Sequence, residues 1–201
     1  MKKSIILTSL LLLASCASGG RQSASFNYMA SATLDSTVTL TESGGATLSE
    51  DGEWLNPSLW GFGFESELNE SSAVTVALNS REYAPEDGSA SDATISGWEI
   101  GAGYRKYMPV NEMVEPFVGG GLSVGLGQEF TPPGFATLES DAYMDYILCT
   151  GARVNIGKQA FTEASIQYQG AIVDVEVTDS GNTVGFDTSG LTYLVGFGMY
   201  F

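Results

Sequence analysis

Histidine is missing from the 201-residue chain, and basic side chains are few: there are 8 Lys and Arg against 24 Asp and Glu. The lack of histidine removes the commonest general base and the commonest zinc ligand. The shortage of positive charge argues against nucleic acid as a partner, because phosphate binding needs a basic patch. We therefore expect no catalytic residues, no metal site and no cofactor.

Long apolar runs and cysteines are also scarce. The main apolar run, Ile5 to Ala14, follows a short basic start and is too short to span a membrane as a helix. It predicts a signal peptide over residues 1–15 and export through the general secretory pathway. The two cysteines, Cys16 and Cys149, give no disulfide framework. Without a membrane helix, any spanning must be by a closed sheet.

The residues around Cys16 suggest a lipid anchor. Leu13-Ala14-Ser15-Cys16 resembles the lipobox of bacterial lipoproteins, in which the cysteine is lipidated after cleavage. This resemblance implies a lipidated tether over residues 16–23, and the Gly and Ser that follow suit a flexible linker. The alternative is an ordinary signal-peptidase site after Ala17, with Cys16 incidental.

Eight segments alternate between large apolar and small or polar side chains, which is typical of β-strands. Each is close to the roughly 9–11 residues that a tilted membrane-spanning strand needs. The segments cover residues 26–40, 60–68, 74–78, 98–104, 118–126, 144–154, 164–172 and 191–201.

Long and short connections alternate between these segments, as they do in membrane barrels. Long loops are expected at 41–58, 84–93, 128–141 and 177–189, and short turns near 69–71, 108–113 and 157–159. The four long segments carry twelve acids and no Lys or Arg. These acids are either solvated charge or a site for divalent cations or an extracellular partner.

The small and charged face of the segments suits the interior of a barrel, since eight strands leave a bore that side chains fill. The large aromatics would then face lipid in two belts. We expect Tyr28, Tyr104 and Phe197 toward the short turns, and Trp60, Trp98 and Tyr146 toward the long loops.

The interior face carries both acids and arginines, which we interpret as a salt-bridge network that satisfies buried charge. A carboxylate pair for acid–base chemistry, or a cation site, is the alternative. The expected members of the lumen charge network are Glu65, Glu67, Arg81, Glu99, Arg105, Asp145, Arg153 and Glu163, with Glu115 as a further acid.

The chain ends in an alternating strand that stops on an aromatic residue. Gly196, Met199 and Phe201 match the C-terminal assembly signal of bacterial outer-membrane β-barrels. Residues 24–201 resemble the small OmpA/OmpX/OmpW-like barrels. The resemblance implies an all-β fold, an eight-stranded antiparallel up-and-down transmembrane β-barrel. It also implies insertion by the barrel-assembly machinery into outer-membrane lipid.

Members of this family of similar size are mostly structural or surface-interaction proteins with a plugged lumen, which is the function that the resemblance implies. Three alternatives stay open. One is an outer-membrane enzyme acting on lipid, although the small-barrel enzymes rely on a catalytic histidine. The others are a narrow channel and an inverted, lipocalin-like periplasmic lipoprotein that packs its aromatics inward.

The lipobox resemblance predicts that Cys16 is acylated in the mature protein. The intact mass of the protein purified from membranes should exceed that of the chain starting at Cys16 by the mass of the attached lipid. A mass equal to an unmodified chain starting at Ala17 or later would contradict the prediction.

Overall fold

The computed structural model of the chain describes residues 20–41, 44–85, 94–131, 138–139, 142–173, 175–179, 182–186 and 189–201. No helix long and apolar enough to cross a membrane occurs within these ranges. The predicted signal peptide and Cys16 lie outside them. The described residues form β1 (Gln22–Thr41), β2 (Thr47–Asn69), β3 (Ser72–Pro85), β4 (Thr94–Tyr107), β5 (Val114–Thr131), β6 (Leu138–Glu139), β7 (Tyr143–Ile156), β8 (Ala160–Val173), β9 (Val175–Asp179), β10 (Asn182–Phe186) and β11 (Gly190–Tyr200).

Eight of these strands close into a barrel. Each pairs antiparallel with its neighbours in the order β11-β8-β7-β5-β4-β3-β2-β1, and β11 pairs with β1 to complete the ring. The ring leaves no unpaired edge along the wall. The predicted fold, an eight-stranded antiparallel up-and-down barrel, is therefore confirmed.

Alternation along each strand decides which side chains face inward. In β11, Tyr193, Val195 and Phe197 are exposed, whereas Thr192 and Tyr200, which have the opposite parity, are buried. An apolar outer face around a polar interior is the pattern of a membrane barrel. The inverted, lipocalin-like arrangement with the aromatic face packed inward is therefore wrong.

The two ends of the barrel differ. At one end, hereafter the turn end, short turns at 70–71, 108–113 and 157–159 connect the strands, as predicted. The start of β1 and the end of β11 lie there as well. The predicted boundary of the tether is corrected, because β1 begins at Gln22 and pairs there with Ser66.

The opposite end, hereafter the hairpin end, contains strands where loops were expected. Most of the predicted loop 41–58 belongs to β2, which pairs with β1 as far as Thr41 and Thr47. The loop at 177–189 contains β10, which adds to the edge of β1 at positions 38–41. The loop at 128–141 contains the end of β5 and all of β6. The apolar alternation in these segments is short, as in β10, where Val184 and Phe186 stand opposite Leu40 and Val38 of β1.

The predicted separation of the aromatic residues into two belts is wrong for one pair. Tyr28 on β1 and Trp60 on β2 are direct register partners, so they lie side by side on the outer face. Trp60 also packs edge-to-face on Trp98, with ring centroids 5.5 Å apart. Tyr28 and Trp60 were predicted at opposite ends because position within a segment does not include the stagger between strands.

The predicted assembly-signal residues lie at the seam between β11 and β1. Met199 and Phe201 face outward, and the Phe201 N–H donates to the carbonyl oxygen of Gln22 at 3.0 Å. Gly196 pairs with Asn27, and a Cβ at this glycine would collide with the Asn27 side-chain oxygen. Gly196 therefore leaves room for the Asn27 side chain inside the barrel, and a larger residue would displace that amide.

This packing gives a prediction that tests whether Gly196 is needed for space beside Asn27 or for recognition as part of the assembly signal. Gly196→Ala should lower the folded fraction of the protein in outer membranes, measured by heat-modifiable gel mobility, and Asn27→Ser should restore it. Gly198→Ala is the matched control. A Cβ there would lie 2.7 Å from the Ala24 carbonyl oxygen, so Asn27→Ser should not rescue it. Failure of Asn27→Ser to rescue Gly196→Ala would show that the glycine acts through something other than space.

Candidate functional site

Four charged side chains from four strands meet in the half of the interior nearest the turn end. Arg153 Nη1 lies 2.8 Å from Glu65 Oε1, and Arg153 Nη2 lies 3.0 Å from Glu163 Oε2. Arg105 Nη1 lies 2.8 Å from Glu163 Oε1 and 3.6 Å from Glu65 Oε2. We call these four residues the charge quartet. Two guanidinium groups and two carboxylates make it neutral, so its members compensate one another inside the wall.

Aromatic rings enclose the quartet. The Arg153 guanidinium carbon lies 4.1 Å from the ring centre of Phe161, and that of Arg105 lies 4.4 Å from Phe117. The Tyr107 hydroxyl donates to Glu65 Oε2 at 2.7 Å. Arginine over an aromatic face gains cation–π attraction, which strengthens where water is excluded. The rings therefore stabilise the arginines and fill the space between them.

The sequence did not identify this set of interior rings, since the large aromatics were predicted to face lipid. The alternation along the strands could have identified them, because each ring lies an even number of positions from a residue that was assigned to the interior. Tyr107 stands two positions after Arg105, and Phe161 stands two before Glu163. The buried aromatic residues are Tyr107, Phe117, Tyr143, Phe161 and Tyr200.

Glycines on the neighbouring strands make room for the rings. Phe117 is the register partner of Gly151, and Phe161 is the partner of Gly198. A Cβ at either glycine would collide with the facing ring, and the same holds for Gly125 beneath Tyr143. A narrow barrel can hold large rings inside only if the wall beside them carries no side chain.

Arg21 covers the quartet at the turn end. Its Nε lies 2.8 Å from Glu67 Oε1, its Nη2 lies 3.6 Å from Glu115 Oε1, and its guanidinium carbon lies 3.9 Å from the ring centre of Tyr200. We call this group the Arg21 cap. Glu67 was predicted among the lumen charges, but its partner, Arg21, was assigned to a flexible tether.

A second ion pair lies in the half nearest the hairpin end. Arg81 Nε is 3.0 Å from Glu99 Oε2, and Arg81 Nη2 donates to Glu99 Oε1 at 3.1 Å. The Tyr143 hydroxyl donates to Glu99 Oε2 at 3.2 Å. Asp145 is buried on β7, two positions from Tyr143. The structure thus divides the predicted network into separate groups rather than one.

A cavity of about 100 Å³, lined by both polar and apolar residues, lies between the quartet and the Arg81–Glu99 pair. Its wall includes the side chains of Asn27, Thr75 and Asn79. Ile147 and Cys149 also line it. Their position shows that the interior tolerates apolar groups where no charge needs a partner.

The geometry limits the chemistry available inside. Both carboxylates of the quartet contact guanidinium groups, so neither is placed as a general base. Within the described ranges, no group of three or more Cys, Asp or Glu is arranged to hold a metal ion. The arrangement suits the joining of strands across the lumen.

Solved structures share this fold. The chain is similar to the outer membrane protein OprG from Pseudomonas aeruginosa, with a TM-score of 0.63, 15% identity, and coverage of 91% of this chain and 96% of that chain. It is also similar to the outer membrane protein AlkL, with a TM-score of 0.58, 18% identity and 90% coverage of both chains. The outer membrane protease OmpT from Escherichia coli has a TM-score of 0.51 at 8% identity, covering 90% of this chain and 97% of that chain.

The chain therefore has the fold of small outer-membrane barrels. A protease is among the proteins with this fold, so the fold alone does not separate enzymes from other barrels. No protein-family model matches the sequence, and no curated protein sequence matches it either.

The quartet yields a prediction about stability. Arg153→Met leaves two buried carboxylates short of a partner, so we expect a loss of about 3–5 kcal/mol in unfolding free energy. Arg21→Met should cost at most about 1 kcal/mol, because that side chain is 40% exposed. Urea titration of the protein in detergent, followed by gel mobility, measures both.

A charge-matched variant tests the cause. Adding Glu65→Gln to Arg153→Met removes one uncompensated carboxylate and should recover part of the loss. Lys158→Met, in the exposed turn at 157–159, is the control and should change nothing. If the double variant is no more stable than Arg153→Met, lost packing rather than unpaired charge explains the effect.

Proposed function

We propose that this protein is a bacterial outer-membrane barrel with a surface-interaction role, whose lumen is plugged by its own side chains. The apolar outer face supports a membrane location, and so does the fold shared with OprG and AlkL. In this proposal the turn end faces the periplasm and the hairpin end faces outward, as the usual asymmetry of such barrels suggests.

The observation that carries the interaction role is the sheet that continues beyond the barrel. β1 and β2 stay paired from Leu34 and Trp54 to Thr41 and Thr47, and β10 and β9 extend the same sheet on the other side of β1. Among the residues that the structure describes, β2 pairs with β3 as far as Trp54 and Pro85. Among the described strands, the segment 47–53 of β2 and the strand β9 are therefore each paired along one edge. Open edges of this kind bind extended peptides by adding a strand.

Charge indicates which partners this sheet suits. The open segment of β2 contains Glu50, Asp51 and Glu53, and the four predicted loop segments together carry twelve acids and no bases. In the register, Glu129 stands opposite Glu139. Like charges in opposed positions destabilise a sheet, and a divalent cation or a basic peptide would relieve them. The proposed partners are therefore cations or basic extended segments.

The contents of the lumen support a plugged barrel over a narrow channel. An ion moving along the axis would have to pass the Arg81–Glu99 pair, the quartet and the Arg21 cap in turn. The absence of histidine from the sequence supports a non-enzymatic role over the enzyme alternative. The carboxylates of the quartet, which are paired with arginines, also support a non-enzymatic role.

The experiment that tests the role uses the acidic sheet itself. Magnesium or calcium should raise the thermal midpoint of the protein in detergent beyond the effect of matched ionic strength, and an oligolysine peptide should bind and compete with the cations. Both effects should disappear when Glu50, Asp51, Glu53, Glu86 and Asp87 are neutralised together.

Glu99→Gln is the control for this experiment, because Glu99 lies inside the barrel and should not affect either response. If cations and oligolysine change nothing beyond matched ionic strength, the acids are solvated charge and the proposed role fails. An effect that survives neutralisation but is lost in Glu99→Gln would move the site into the lumen.

A further inference from the structure

We propose that the cavity between the quartet and the Arg81–Glu99 pair is a binding chamber for small uncharged polar solutes, reached from the hairpin end. The cavity holds about 100 Å³, room for a few waters or one small solute with hydroxyl or amide groups. This inference does not depend on the acidic sheet or on its partners.

The lining favours hydrogen bonding without net charge. Hydroxyl and amide groups come from Ser25, Asn27, Thr75, Asn79 and Gln167. The charged groups at the floor, Glu65, Arg105 and Arg153, compensate one another within the quartet. An ion would lose its hydration shell here and find no uncompensated opposite charge, whereas an uncharged polar solute can exchange its hydrogen bonds with the wall.

Glycines keep the chamber open. The Asn79 side chain lies against Gly61 and the Asn27 side chain lies against Gly196, so each amide rests on the wall beside a glycine. Gly101 differs, because the nearest atom to a Cβ placed there is 3.7 Å away. A larger side chain at position 101 would therefore enter the chamber without a clash at its first atom.

The two ends of the chamber are closed to different extents. Toward the turn end lie the quartet, the rings around it and the Arg21 cap. Toward the hairpin end, the described residues place the Arg81–Glu99 pair with Tyr143, and Asp145 and Gln169 are buried on the neighbouring strands β7 and β8. Counted over the described residues, the hairpin end has fewer layers, so we assign access to that side.

Cys149 lines the chamber and serves as a reporter for the test. The folded protein, carrying Cys16→Ser so that Cys149 is the single thiol, is treated with methyl methanethiosulfonate, which is small and uncharged. The same experiment uses the anionic sulfonatoethyl and the cationic trimethylammonium-ethyl reagents. We expect the uncharged reagent to modify Cys149 at least about tenfold faster than either charged one, relative to their rates with a free thiol.

Two pairs of variants test the chamber and its side of access. Gly101→Leu should slow the uncharged reagent, whereas Ala102→Leu, whose side chain faces outward, should not. Glu99→Gln should speed modification, whereas Arg21→Met at the other end should leave it unchanged. Rates are compared only for protein that is folded by gel mobility.

Several outcomes would overturn the proposal. No modification by any reagent would mean that the chamber is sealed, and equal relative rates for charged and uncharged reagents would remove the selectivity. An unchanged rate in Gly101→Leu would place the path elsewhere. A larger acceleration in Arg21→Met than in Glu99→Gln would reverse the side of access.

Discussion

The contact on which the barrel interior depends is the one between Arg153 and two glutamates from different parts of the wall. Glu163 is its neighbour on the adjacent strand, but Glu65 stands on β2, across the lumen. A buried guanidinium needs both carboxylates, and they need it, because none of the three is stable alone away from water. This requirement ties distant strands together and fixes where the rings of Phe161 and Tyr107 can pack.

The outer surface of the barrel and its interior obey different physical rules, and that difference explains what the sequence could predict. Outward residues need only be apolar, so alternation of Val195, Phe197 and Met199 was enough to predict the strand and the face. The same alternation predicted the eight barrel strands and the three short turns between them. At the hairpin end the apolar alternation is short, with Val184 and Phe186 on β10 opposite Leu40 and Val38 on β1, so β10 and most of β9 were predicted as loop.

The residues that line the interior could be predicted from the sequence, but the pairing of their charges could not. Parity assigned Glu65, Arg105, Arg153 and Glu163 to the lumen, but which carboxylate meets which guanidinium depends on the stagger between strands. Stagger also explains why Tyr28 and Trp60 were separated in the prediction and are partners in the structure. Arg21 was missed for another reason: it stands before the first alternating residue, and only its contacts with Glu67 and Tyr200 show that the barrel begins there.

The position of Arg21 limits how far any group joined to the preceding residues can lie from the barrel. Its side chain sits in the mouth of the barrel, and its carbonyl oxygen accepts a hydrogen bond from the Glu67 N–H, so the chain is fixed at that point. Four residues separate Cys16 from Arg21, and the five Cα–Cα steps between them reach about 17 Å when fully extended. A group attached to Cys16 must therefore stay beside the rim of its own barrel, and cannot anchor the protein to a distant surface.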